Sequence, residues 1–172
     1  MPLRNIVMLG DPILRQKAKR IHRFDASLRK LVKDMFETMH ANDGAGLAAP
    51  QIGLSLRLFV VELEDPKTEK YYKVAMANPE IIKTEGEQIG LDGCLSISGY
   101  YGVNVRRANK VIVKGQDLNG KPMKVLAEGY YAWALQHEID HLNGVLFIDL
   151  LDSPEDLREV RHSDNEKEEV LK

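Results

Sequence analysis

Apolar positions recur at helical spacing early in the chain: Leu28, Leu31, Val32, Met35, Phe36 and Met39 stand three or four apart in "DASLRKLVKDMFETMHAND", with charges between them. That period predicts an amphipathic helix. Asp25, whose short carboxylate can accept from the free N–H groups of a first turn, predicts where it begins. A stripe of this kind buries apolar area, so its methionines and Phe36 are assigned to the core and given no function. The pattern then changes. "LRLFVVELE", "KVAMANPEII", "YGVNVRR", "KVIVKGQD" and "MKVLAEG" are rich in β-branched residues and predict consecutive antiparallel strands. Between the last two, Asn119-Gly120 suits a tight hairpin turn, because both residue types tolerate positive φ. Helical spacing returns from about Gly129 to Leu142 with Gly144 as a stop, followed by the short apolar run "VLFID". Strands and helices are segregated instead of alternating, which predicts an α+β fold.

Composition narrows this picture without redirecting it. A chain of 172 residues, 44% of them hydrophobic, has room for one real core, so residues 1–152 are expected to form a single domain. The remainder, "SPEDLREVRHSDNEKEEVLK" at 153–172, is densely charged and fits either a solvated helix from Ser153 or a flexible tail; His162 within it is an ordinary exposed histidine. The 24 basic and 26 acidic residues nearly cancel, which gives no sign of a nucleic-acid or membrane partner. The first twenty residues lack the apolar core of a signal peptide, and no run is long enough to span a bilayer, so a cytoplasmic protein is expected. One cysteine, Cys94, excludes an internal disulfide.

Candidate chemistry concentrates in "QHEIDHLNG", Gln136 to Gly144. On a helix, His137 and His141 lie one turn apart on one face, where two imidazole nitrogens can meet one cation. Glu138, turned by about 100° from His137, stands beside such a cation and can handle a proton without filling a coordination position. The plainer reading is a core helix whose histidines are satisfied by hydrogen bonds. A third ligand decides between them. The metzincin pattern requires a third histidine where this chain has Phe147, and a glutamate ligand from downstream, such as Glu166, would have to come from the charged tail. Cys94 remains, in "LDGCLSISG"; as a thiolate it suits zinc or ferrous iron, and Cys plus two His leaves a fourth position open for water.

Three motifs stand in order along the chain: "GAGLAAPQ" from Gly44 to Gln51, "DGCLS" from Asp92 to Ser96, and "QHEIDH" from Gln136 to His141. With the early "GDPILR", they give residues 5–150 a close resemblance to the peptide deformylases, metal hydrolases that remove the formyl group from the N-terminal methionine of nascent chains. The resemblance implies antiparallel sheets packed around a central metal-binding helix. It implies Cys94, His137 and His141 as metal ligands, Glu138 as general acid/base, and the Gln51 side-chain amide with the Leu95 backbone N–H as donors to the oxyanion. A cation there lowers the pKa of bound water, to about 7 for zinc, providing hydroxide at neutral pH. Gly44, Ala45 and Gly46 would form a slim wall where an extended peptide pairs with the backbone. Tyr130, Trp133 and Ala134 would line a pocket for methionine, with Trp133 equally suited to the core.

The resemblance further implies one divalent ion, ferrous iron first, with zinc, nickel or cobalt able to take its place; the partners it implies are N-formylmethionyl nascent peptides and the ribosome near its exit tunnel. Two positions depart from the family pattern. Asp92 stands where glutamate is usual, expected to pair with Arg107, and Ser98 stands where proline is frequent. The competing functions are a small metallopeptidase cutting internal peptide bonds and a non-catalytic metal- or peptide-binding module.

Overall fold

The computed structural model describes residues 3–160; the tail positions His162 and Glu166 lie outside them. Helix α1 spans Ala26–Ala41, and the Asp25 carboxylate caps it, accepting from the N–H groups of Ser27 and Leu28. The strands are β1 (Gly46–Ala48), β2 (Leu58–Glu64), β3 (Tyr71–Glu85), β4 (Gln88–Cys94), β5 (Ile97–Arg107), β6 (Lys110–Gln116) and β7 (Pro122–Glu128). Helix α2 follows at Gly129–Leu142, over the residues its period predicted, and a short β8 (Leu157–Glu159) ends the described chain. Among the described residues no helix is long and apolar enough to cross a membrane.

The strands form two antiparallel sheets, ordered β1-β2-β3-β6-β7 and β4-β5-β8. Consecutive pairing, the expectation from sequence, therefore fails on both sides of the β4-β5 hairpin. Strand β3 pairs with β6, while the β4-β5 hairpin leaves to start the second sheet. Between β6 and β7 the connection is longer than a tight hairpin: Gln116 and Pro122 are the last pair, and the Asp117 carboxylate organises the loop by accepting from the N–H groups of Asn119 and Lys121. Only Gly120 of the Asn-Gly pair takes positive φ. The run "VLFID" becomes a 3-10 turn at Phe147–Leu150. Ser153 caps another such turn at Pro154–Asp156, after which β8 pairs with the edge of β5.

Strand β2 shows how the core is arranged. Leu58 and Val60 face α1, packing with Val32, Met35 and Met39, while Phe59, Val61 and Leu63 face α2, packing with Leu135, Ile139 and Leu142. A helix on each face explains why "LFVVELE" is nearly continuous in apolar residues and does not alternate. Side chains as fully enclosed as Met35, Met39, Phe59 and Leu135 contribute roughly 1.5–3 kcal/mol each. Helix α2 is thus held against the large sheet by apolar packing. It meets the small sheet through polar groups, and these build the site.

Candidate metal centre

Helical geometry brings His137 and His141 together as expected, with their Nε2 atoms 3.2 Å apart. Cys94 arrives from the end of β4, its Sγ 3.4 Å from His141 Nε2, and the three ligand atoms all lie within 4.8 Å of one another. Two register shifts, between Gly90 and Asp92 and between Asp92 and Cys94, re-aim the end of this strand. A thiolate and two imidazoles facing one point form a soft donor set that fits a divalent transition metal with a further position open.

The orientation of His137 is set from behind. Its Nδ1–H donates to Asp92 Oδ1 at 2.9 Å, which turns Nε2 toward the other two ligands. The second oxygen of Asp92 accepts from Arg107 Nη2 at 2.8 Å and Nε at 3.1 Å, and Arg107 Nη1 donates to Asp140 at 2.8 Å. The shorter carboxylate at position 92 therefore still spans from the ligand to the arginine. Burial opposes charge on Asp92, but His137 and Arg107 outweigh it and hold the carboxyl at about 2. Burial likewise opposes charge on His137, and Asp92 reverses the sign, keeping that imidazole well above its usual range. His141 is lowered well below, by burial and then by His137, so it presents a neutral ring. A metal must displace the His137 Nε2 proton, and this couples metal affinity to pH. Asp92→Asn keeps the shape and removes the charge. It is expected to weaken metal binding by about 10–100-fold, measured by chelator competition.

Glu138 is 4% exposed, and its Oε1 has no hydrogen-bond partner among the described residues. Burial raises its carboxyl to about 7, with Asp92 adding to the rise and His137 and Arg107 resisting it. Its other oxygen faces β1: a Cβ placed on Gly46 would stand 2.3 Å from Glu138 Oε2. Gly46, expected only in the peptide-facing wall, thus also clears the space in which Glu138 sits. Gly46→Ala is expected to displace that carboxylate and lower kcat at least about tenfold in a steady-state assay, since small misplacements of a reacting group are costly.

Gln51 lies in the 3-10 turn Ala49–Ile52 and is 1% exposed. Its Oε1 accepts from Ala48 N at 3.0 Å, which fixes the amide so that Nε2 points to Ser96 Oγ at 3.2 Å and Cys94 Sγ at 3.5 Å. Leu95, Ala45 and Gly46 line the same cleft as Gln51, Cys94 and Glu138, and Tyr130, Trp133 and Ala134 line it from α2. Trp133 is buried. It faces the cleft while packing on Gly90, and the Arg107 guanidinium lies 5.4 Å from its ring centroid. Gly44 stands further out, its N–H donated to Met39 O at the end of α1.

Sequence reasoning did not single out Leu91 and Gly93 in the cleft wall, Asp140 behind Arg107, or Ser96 beside Gln51. Asp140 carried a usable signal, standing three residues after His137, one helical turn along.

The polypeptide deformylase family model matches residues 3–156. A peptide deformylase of Dehalococcoides mccartyi is 45% identical over 170 residues, covering 99% of each chain. Among solved structures, a peptide deformylase from Legionella pneumophila superposes with a TM-score of 0.81 at 48% identity, covering 90% of this chain and 89% of that one. One from Synechococcus elongatus, solved in complex with actinonin, gives 0.83 at 42% identity over 91% and 82%.

Proposed function

Since the chain belongs to the peptide deformylase family, metal-dependent hydrolases that remove the formyl group from N-terminal formyl-methionine, we propose that Cys94, His137 and His141 hold its metal and that Glu138, Gln51 and Leu95 carry the reaction. One observation supports this above the others: a lone thiol and two imidazoles converge beside a buried, unpartnered carboxylate. A divalent cation held by that set supplies Lewis acidity, lowering the pKa of a water and polarising a carbonyl. Glu138 takes the proton of the attacking water and delivers it to the departing amine, a transfer suited to a carboxyl near neutrality. As charge develops on the formyl oxygen, the Gln51 amide and the Leu95 N–H stabilise it more than they stabilise the ground-state carbonyl. Formate and a free N-terminus result.

The substrate's main chain is assigned to the edge of β1, which pairs with β2 on one side only. Gly44, Ala45 and Gly46 present a slim backbone there, and added-strand hydrogen bonds are indifferent to side chains. Tyr130, Trp133 and Ala134 take the methionine. Asp92 and Arg107 position His137. Residues 1–152 carry the catalytic machinery, and of the charged segment that follows the described residues 153–160 add β8 to the edge of the small sheet. Membership of the family makes ferrous iron the first candidate, and the soft thiolate accommodates zinc, nickel or cobalt in its place. Because its substrates are nascent, we assign the enzyme to the cytoplasm, working beside the ribosomal exit tunnel.

Anaerobic purification with metal analysis, coupled to hydrolysis of formyl-Met-Ala-Ser, tests the assignment. The expected result is one ferrous ion per chain, formate release, and no digestion of casein. Release no faster than that of a Glu138→Ala variant would refute it.

A further inference from the structure

The amino-terminal segment touches both loops that carry the oxyanion donors, although it contributes no reacting group. Val7 N–H donates to Gln51 O at 2.7 Å, and Leu9 N–H donates to Ser96 O at 2.8 Å. Between those two anchors the Gln51 side chain closes the circuit, Nε2 donating to Ser96 Oγ at 3.2 Å. Val7, Gln51, Ser96 and Leu9 therefore form one ring of hydrogen bonds. It ties the "GAGLAAPQ" turn to the "DGCLS" turn, two segments more than forty residues apart in sequence.

Burial alone does not account for the Met8–Leu9 end of this strap. Ile6 packs at the margin of the α1 core and Val7 is half-buried, but Met8 at 43% and Leu9 at 47% exposure gain little apolar burial from lying there. Ser96 and Gln51, in contrast, are almost fully buried, at 0% and 1%. The ordering entropy of an exposed segment is offset here by hydrogen bonds to the backbone of buried residues. At its far end the segment is fastened again, Arg4 N–H donating to Thr38 Oγ1 at 3.0 Å and the Arg4 guanidinium pairing with the buried Asp34 at 3.3 Å. Such a brace fixes the gap between the two loops.

We propose that Val7–Leu9 is a positioning strap that sets the distance between the Gln51 amide and the Leu95–Ser96 backbone, and thereby the geometry in which both donors meet the oxyanion. It touches neither the ligands nor the pocket for the first side chain. Its effect should appear in kcat, with metal content and KM left near those of the parent. This inference rests on the oxyanion roles assigned to Gln51 and Leu95.

Leu9→Pro removes one N–H from the ring. The expected result on formyl-Met-Ala-Ser is a fall in kcat of about tenfold to a hundredfold, less than the 10²–10³ of deleting a donor outright, with KM within about threefold and metal stoichiometry unchanged. Leu9→Ala keeps the N–H and should recover at least half of the parent's kcat. The decisive measurement is a cycle with Gln51→Ala. If the strap works through the Gln51 amide, Leu9→Pro costs at least about fivefold less in the Gln51→Ala background than in the parent. Equal losses in both backgrounds, or a lower Tm with kcat unchanged, would overturn the strap while leaving the oxyanion assignment standing. A Gln51→Ala chain as active as the parent would instead remove the assignment itself. Should Leu9→Pro fail to fold, Val7→Pro opens the same ring at its other anchor and is held to the same outcomes.

Discussion

Glu138→Gln is expected to lower kcat on formyl-Met-Ala-Ser by about 10²–10⁴-fold, with metal content and KM close to those of the parent. The amide matches the carboxylate in size, so the space that Gly46 leaves stays filled, and only proton transfer is lost. The same carboxyl sets the pH dependence. Burial raises it to about 7, and the base form gains population as pH rises. A cation alongside favours the carboxylate, so the acidic limb of kcat/KM in the metal-loaded enzyme lies below 7, and the variant's profile loses that limb. Stability moves in the opposite direction. In the metal-free protein a carboxyl raised from 4.5 costs nothing while both folded and unfolded states are protonated, and costs progressively more as pH climbs through the folded value near 7. The metal-free variant should therefore melt above the parent at pH 8 and with it at pH 4. Loss of activity with loss of metal would show Glu138 to be a ligand, not a base.

The elements that were legible in the sequence are those whose period is unbroken. Helix α1 shows its apolar stripe and its Asp25 cap, and α2 lies between Gly129 and Gly144, so both emerge at their expected residues. Strand β4 was missed. "QIGLDGC" contains two glycines and alternates poorly because only its end is buried, and its bulges break the period where the chemistry needs Cys94 re-aimed. Strand β1 is three residues inside a glycine-rich motif, and β8 lies in a segment dominated by charge; neither has an apolar pattern to detect. The partition into two sheets was also unreadable, since pairing β3 with β6 is a choice made by tertiary packing across an intervening hairpin. Helical spacing placed the two histidines, and elimination with ligand chemistry selected Cys94. What sequence could not supply is the support behind them. Ser96 acts through a contact made from another element and nothing local marks it, while Asp140 had only its place one turn after His137 to mark it, its partner Arg107 coming from β5.

Cys94→Ala is expected to abolish stable metal binding and, with it, deformylation. The variant keeps two imidazoles one turn apart, a pair that solvent must complete, and its loss in metal affinity should exceed the 10–100-fold typical of altering an outer partner such as Asp92. After dialysis it should hold less than about a tenth of the parent's metal, and activity should fall in proportion. A thermal measurement separates this from misfolding. Metal at a hundredfold above its dissociation constant stabilises the folded state by about 2.7 kcal/mol, which for a domain of this size raises Tm by roughly 5–10 °C. Chelation should therefore lower the parent's Tm by that amount and leave the variant's unmoved, with both metal-free proteins melting together. Parity is expected because Cys94 is only partly buried, at the margin of a small cluster with Ile97, Leu146 and Phe147, apart from the two cores that hold α1 and α2. If the variant instead retains metal and its thermal shift, the third ligand is another group. The Glu138 carboxylate, buried against the same helical turn, is the candidate, and Glu138→Gln would then empty the site that Cys94→Ala had left full.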